Sequence, residues 1–176
     1  MVVTLMIRKY ETITNTFAKI GLWYIIVGYA AMTTVTFIEV IRRYTMGFSY
    51  GWAEELVRFL LITTTFIGGA VAYHKGSLVL FDVLLKKLEK KRGLLLGMFN
   101  NTAVLLLALI IFKLAVDYVR APAVMLQKSP GLGIPMVIPY GFIALGFALI
   151  CFFAVGHILH GWQSLRCIRE EGGKTL

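Results

Sequence analysis

Negative charge is what this sequence has least of. Nine Asp and Glu stand against eighteen Lys and Arg, and charged residues of both signs make up 15% of the chain, where a soluble globular domain carries about a quarter. Cysteine is nearly absent as well. Cys151 lies in an apolar run and Cys167 in a polar tail, too far apart along one expected helix to bridge and in no C-x-x-C spacing. A disulfide framework and a cysteine-rich metal site are thereby excluded. A cleavable signal peptide is not expected either, because "MVVTLMIRKYETITNTFAKIG" mixes apolar and charged residues and offers no small-residue cleavage site.

What fills the chain is apolar. Of 176 residues, 59% are hydrophobic, and the mean hydropathy is +0.79. A soluble domain of this length has nowhere to hide so much apolar surface, whereas a bilayer-spanning helix needs roughly 20 mainly apolar residues. Four such runs are present, at residues 20–41, 52–73, 94–116 and 136–159. The expected fold is an all-α integral membrane protein: a single membrane domain over 1–176 with four transmembrane helices and a polar tail at 160–176. Residues 1–19 place Val3, Met6, Ile7, Tyr10 and Phe17 near one helical face and Arg8, Lys9 and Glu11 toward the other, which predicts an amphipathic interfacial helix before the first span.

Positive charge sets the orientation. Twelve of the eighteen Lys and Arg fall in the opening segment, the loop after the second span and the tail. Because cytoplasmic segments retain Lys and Arg, both termini and the middle loop are predicted to be cytoplasmic. The net charge of +9 then suits anionic phospholipid, and no nucleic-acid partner is needed to explain it. The middle loop "FDVLLKKLEKKRG" reads as a short amphipathic turn of helix. The third loop differs: all four prolines lie between Pro122 and Pro139, with Gly131 and Gly133 among them. Proline fixes the backbone and glycine permits turns, so this is a shaped periplasmic loop and not a slack linker.

Chemistry-bearing residues avoid the middle of the spans. Glu39, Glu54, Glu55, Lys113 and Asp117 all fall at span ends, whereas a transporter that binds its own substrate places ionisable groups or broken helices near the midplane. No catalytic, cofactor-binding or metal-binding residues are expected, and no substrate site. His74, His157 and His160 end the second and fourth spans. Two of them could in principle ligate a haem from neighbouring helices, but the sequence offers no second pair at the opposite face, and interfacial placement of half-polar rings explains them.

Two constellations have structural meaning. Thr64, Gly68 and Ala72 recur every four residues along the second span, with Thr65 and Gly69 beside them, a small-residue pattern that lets another helix approach closely in lipid. Around the first loop, Glu39 lies three and four residues before Arg42 and Arg43, and Glu54 and Glu55 stand in the same relation to Arg58. Those are neighbour spacings on a helix, and arginine's planar fork suits fixed pairing at the hydrocarbon edge. The group reads as architectural, pairing within and between helices.

Together these motifs resemble the small membrane subunit of tripartite ATP-independent periplasmic (TRAP) transporters, the DctQ-like family. The resemblance rests on Arg43, Tyr44, Ser49, Trp52, Glu54, Glu55 and Arg58 in "RRYTMGFSYGWAEELVRF", on the small-residue span that follows, and on Leu132, Gly133, Ile134, Pro135 and Tyr140 in "LGIPMVIPYG". It extends over nearly the whole chain. One departure is Ser77 in "HKGSLVLFD", where many relatives carry a His. The resemblance implies a bacterial inner-membrane protein that is not an enzyme and has no cofactor. Its implied place is in a sodium-coupled system for organic acids, beside a large membrane subunit that carries the substrate and ion sites and a periplasmic solute-binding protein that delivers the substrate. It also implies a static scaffold that contributes to the docking surface, and a chain ending after its fourth span resembles an unfused subunit. Two other readings remain open at this point: a self-sufficient four-helix exporter using Glu39 as its proton-coupled acid, and a haem-bearing membrane anchor.

Overall fold

The computed structural model describes the backbone of residues 2–48, 50–76 and 90–172, with side chains at 10, 12–48, 50–76 and 93–165. Ser49, Ser77 and the amphipathic turn expected in the middle loop lie outside the described residues. Among the described residues the elements are helices: α1 (Val2–Met46), α2 (Gly51–His74), α3 (Lys90–Arg120), the short α4 (Pro122–Leu126) and α5 (Val137–Gly172). Four helices among the described residues carry stretches long and apolar enough to cross a bilayer: Thr12–Met46, Gly51–His74, Gly93–Arg120 and Val137–Leu165. The protein is therefore an all-α integral membrane protein. The segment expected as a separate interfacial helix continues into the first span as one 45-residue helix.

Within the spans, hydroxyls need acceptors because lipid offers none. Thr34, Thr36 and Thr102 each donate to the carbonyl four residues earlier, at 2.8 Å. Thr64 donates to Leu60 O at 2.6 Å. These threonine hydroxyls thus stay inside apolar helices without being left unpaired.

The helices pack side by side as an open row, not a closed bundle. α1 lies on α2, α2 on α5, and α5 on α3; α1 and α5 touch only sparingly, and α1 and α3 are the two edges. The small core, Ala18, Ile67 and Val71 with Leu22, Tyr24, Ile25 and Phe142 against it, sits where α1, α2 and α5 converge. Close approach depends on glycines. A Cβ on Gly28 would stand 2.5 Å from Thr64 Cγ2, one on Gly21 2.6 Å from Val71 Cγ2, and one on Gly146 2.8 Å from Phe66 Cβ. Tyr24 also donates its phenol to Thr63 Oγ1 at 2.8 Å, tying α1 to α2.

An open row leaves two broad apolar faces uncovered. Trp23 is 68% exposed, Phe37 66% and Phe99 73%. In water such a surface would drive association; in a bilayer it faces acyl chains or another membrane protein.

Candidate functional site

The expected charged group lies at the loop end of the row, where α1, α2 and the Pro/Gly loop before α5 meet. Glu55 is one turn into α2. Its Oε2 accepts three hydrogen bonds from one short segment: from the Ser129 hydroxyl, from Gly131 N at 3.0 Å and from Leu132 N at 2.9 Å. Ser129 is buried, and its Oγ also accepts from Leu132 N at 3.3 Å. A carboxylate receiving several backbone donors is a strong, directional anchor.

The loop is built to present those donors. Ser129 N donates to Ile134 O at 2.9 Å, Gly133 N to Ser129 O at 2.9 Å and Met136 N to Gln127 O at 3.0 Å, and Lys128 pairs with Pro135 as an isolated antiparallel bridge. Gly133 holds φ +67°, a left-handed conformation that side chains disfavour. At Gly131 the constraint is space, because a Cβ would come 2.9 Å from Glu55 Oε2 and 3.0 Å from Gly51 C. Thus the two motifs that carry the family resemblance, the Trp-x-Glu-Glu start of α2 and the Leu-Gly-Ile-Pro loop, are one hydrogen-bonded unit. Leu132 is half-buried in it and Pro135 exposed on its rim, while Tyr140 packs edge-on against Tyr118 with ring centroids 5.1 Å apart.

The first loop is clasped from α1. Glu39 Oε1 accepts from Tyr50 N at 2.5 Å, and the Arg42 guanidinium sits 3.6 Å from the centroid of the Tyr50 ring and 5.2 Å from that of Phe48. Tyr50 in turn stacks on Trp52 at 5.9 Å. The carboxylates of Glu39 and Glu55 therefore accept from backbone amides, and Arg58 acts on Glu55 through its charge. The physical reason is that a helix start and a tight turn present unpaired N–H groups that must find acceptors. Arg43 and Glu54 line a groove of about 280 Å³ between α1 and α2 that Glu39 also borders. Tyr44 points away, 87% exposed, and Arg58 is exposed.

The small-residue face of α2 divides. Thr64 is buried beneath Gly28, and Gly68 lies 3.6 Å from Ile25 measured from an added Cβ, so that row faces α1; at Gly69 a Cβ would meet nothing within 4 Å. Thr65 is exposed and Ala72 half-buried. The glycines Gly21, Gly28 and Gly146, where an added Cβ would meet a neighbouring helix, were not singled out in the sequence. A signal for two of them was present, since Ala18, Gly21, Ile25 and Gly28 recur at heptad spacing along one face of α1.

At the opposite end, His74 Nε2 lies 3.1 Å from Asn15 Oδ1, and the His74 and His157 rings are 6.1 Å apart. Tyr10 donates its hydroxyl to Phe152 O, and burial raises its phenol above the ordinary value. Among the described residues, no three His, Cys, Asp or Glu gather closely enough to hold a metal ion.

Comparison with known proteins agrees with the motif unit. Residues 32–164 match the family model described as tripartite ATP-independent periplasmic transporters, DctQ component, a range that contains both halves of the Glu55 unit. A similar protein is the isethionate TRAP transporter permease protein DctMQ of Oleidesulfovibrio alaskensis, 25% identical over 99 residues, which cover 56% of this chain and 16% of that protein. The matched part thus spans about one-sixth of the relative's length.

Proposed function

This chain belongs to the DctQ component family of the tripartite ATP-independent periplasmic transporters, a multi-pass protein of the inner membrane, and we propose that it works as the immobile small membrane subunit of such a system. On this reading it packs on a large transport subunit, and its loop end helps to seat a periplasmic binding protein. It has no catalytic role. Transport by the assembly is sodium-coupled uptake of an organic acid, a class compatible with the isethionate in the relative's name.

The observation that carries the reading is the open row of helices. A subunit that encloses a solute closes a bundle around it; this one exposes two apolar faces, and its described carboxylates, Glu39, Glu54, Glu55 and Asp117, lie toward the loops. Such a wall suits bracing: it widens the fixed frame past which a moving transport domain can shift. The Glu55 unit supports the docking half of the reading, because it rigidifies a loop whose outer residues are exposed. Rigid loops lose little entropy when a partner binds.

Gly69→Leu is the direct test. Its site is open within the subunit, so the chain should fold normally but no longer copurify with the large subunit. Intact copurification with full uptake would overturn this placement of the interface. For the docking half, Arg43→Glu leaves the Arg42 clasp untouched and should raise the binding-protein concentration needed for half-maximal uptake; an unchanged dependence removes that part.

A further inference from the structure

We propose that the end of the row opposite the Glu55 unit holds a phosphate-bearing ligand, with the headgroup of an anionic phospholipid as the expected source. A cavity of about 610 Å³ lies there, between residues 10–22 of α1, the end of α2 and the later part of α5. It lies beside the place where α1 meets α5 through large side chains: Tyr10 and Phe17 on α1 pack on Phe152, with ring centroids at 4.9 and 6.2 Å, and Tyr10 also rests against Gly156.

Its chemistry is one-sided. Lys19 from α1 and Lys75 from the cap of α2 stand at the mouth, both exposed, with Asn15 and His74 between them. Among the described residues, no Asp or Glu lines it. The deeper wall is apolar, formed by Ala18, Leu22 and Phe153. Two ammonium groups at one hollow attract an anion, and the apolar wall adjoining the spans suits the first carbons of an acyl chain. Its place fits a lipid too: Lys75 follows the last residue of α2, where a span gives way to the headgroup layer. Lysines at such a boundary extend toward phosphate while their stems stay against apolar surface. This proposal depends only on the chain spanning a membrane, and so stands or falls separately from the role in transport.

The test is native mass spectrometry of the purified full chain, released from detergent containing equal phosphatidylglycerol and phosphatidylcholine. Phosphatidylglycerol should be retained preferentially. Lys19→Gln or Lys75→Gln should cut that preference about fivefold, and the double variant about twentyfold. The Lys19→Arg, Lys75→Arg pair should keep it, and Lys113→Gln, distant from the cavity, should leave it unchanged. Circular dichroism confirms that each variant is equally helical. Inorganic phosphate added at millimolar concentration distinguishes the sources. A lipid adduct that survives it assigns the site to a headgroup, whereas displacement that depends on both lysines assigns it to free phosphate. Equal retention of the two lipids without phosphate competition, or a preference unaltered in the double Gln variant, overturns the proposal.

Discussion

The two ends of this row of helices solve opposite problems. At the loop end, a tight turn and a helix start present amide groups that need acceptors, and Glu55 and Glu39 supply them, so loops and helices become one unit. At the far end α1 meets α5 through the Tyr10 and Phe17 rings on Phe152, the donors are lysines and histidines, and a cavity remains beside them. The same apolar helices run through both ends. The difference lies in which backbone groups are left over, and it separates a closed, load-transmitting end from an open end that can accept a ligand.

Three substitutions sharpen that contrast, taken from the largest effect to the smallest. Glu55→Ala removes the one acceptor shared by Ser129, Gly131 and Leu132. Hydrogen exchange at the two amides should accelerate by about tenfold or more, as local opening no longer breaks charged hydrogen bonds, while exchange near His74 stays as it was. Glu55→Gln, which keeps a carbonyl acceptor, should fall between the two. If exchange in the loop is unchanged in Glu55→Ala, the closed end is not held by this carboxylate.

Gly146→Ala acts between the ends. Its new Cβ would meet Phe66 Cβ at 2.8 Å and Phe66 O at 3.0 Å, so α2 and α5 must move apart, at a cost of about 1–3 kcal/mol. A lowered thermal midpoint is expected, with Gly69→Ala as a neutral control because its site is open. Arg42→Ala tests the weakest element. Losing the stack on Tyr50 should cost about 0.5–1 kcal/mol at an exposed site, visible as a small drop in midpoint and altered Tyr50 fluorescence or ring-proton shifts.

The membrane character and the four spanning helices were legible in the sequence, because runs of about 20 apolar residues admit few other structures. The family was legible too, in the order of Trp52, Glu54, Glu55, Leu132, Gly133 and Pro135. The joining of those motifs was not. Glu55 and Ser129 are 74 positions apart, and helical spacing suggests only local partners such as Arg58. A better clue was the turn itself: Ser129-Pro130-Gly131 promises free amides beside a membrane edge, and a carboxylate must then be sought to receive them. The small-residue face of α2 was legible as a packing surface, but the side facing α1 could be assigned only once Gly28 and Ile25 were seen against it. The short helix α4 gave no signal beyond Pro122, a good first residue for any helix.

The length of α1 has its own consequence. Its 45 residues make a rod of about 67 Å at roughly 1.5 Å per residue, more than twice the hydrocarbon thickness of roughly 30 Å. Fitting it inside would need an inclination well beyond the 0–40° range typical of membrane helices. Part of this rod must therefore stand clear of the oily layer, giving the protein a handle in the aqueous phase as well as a wall within the bilayer.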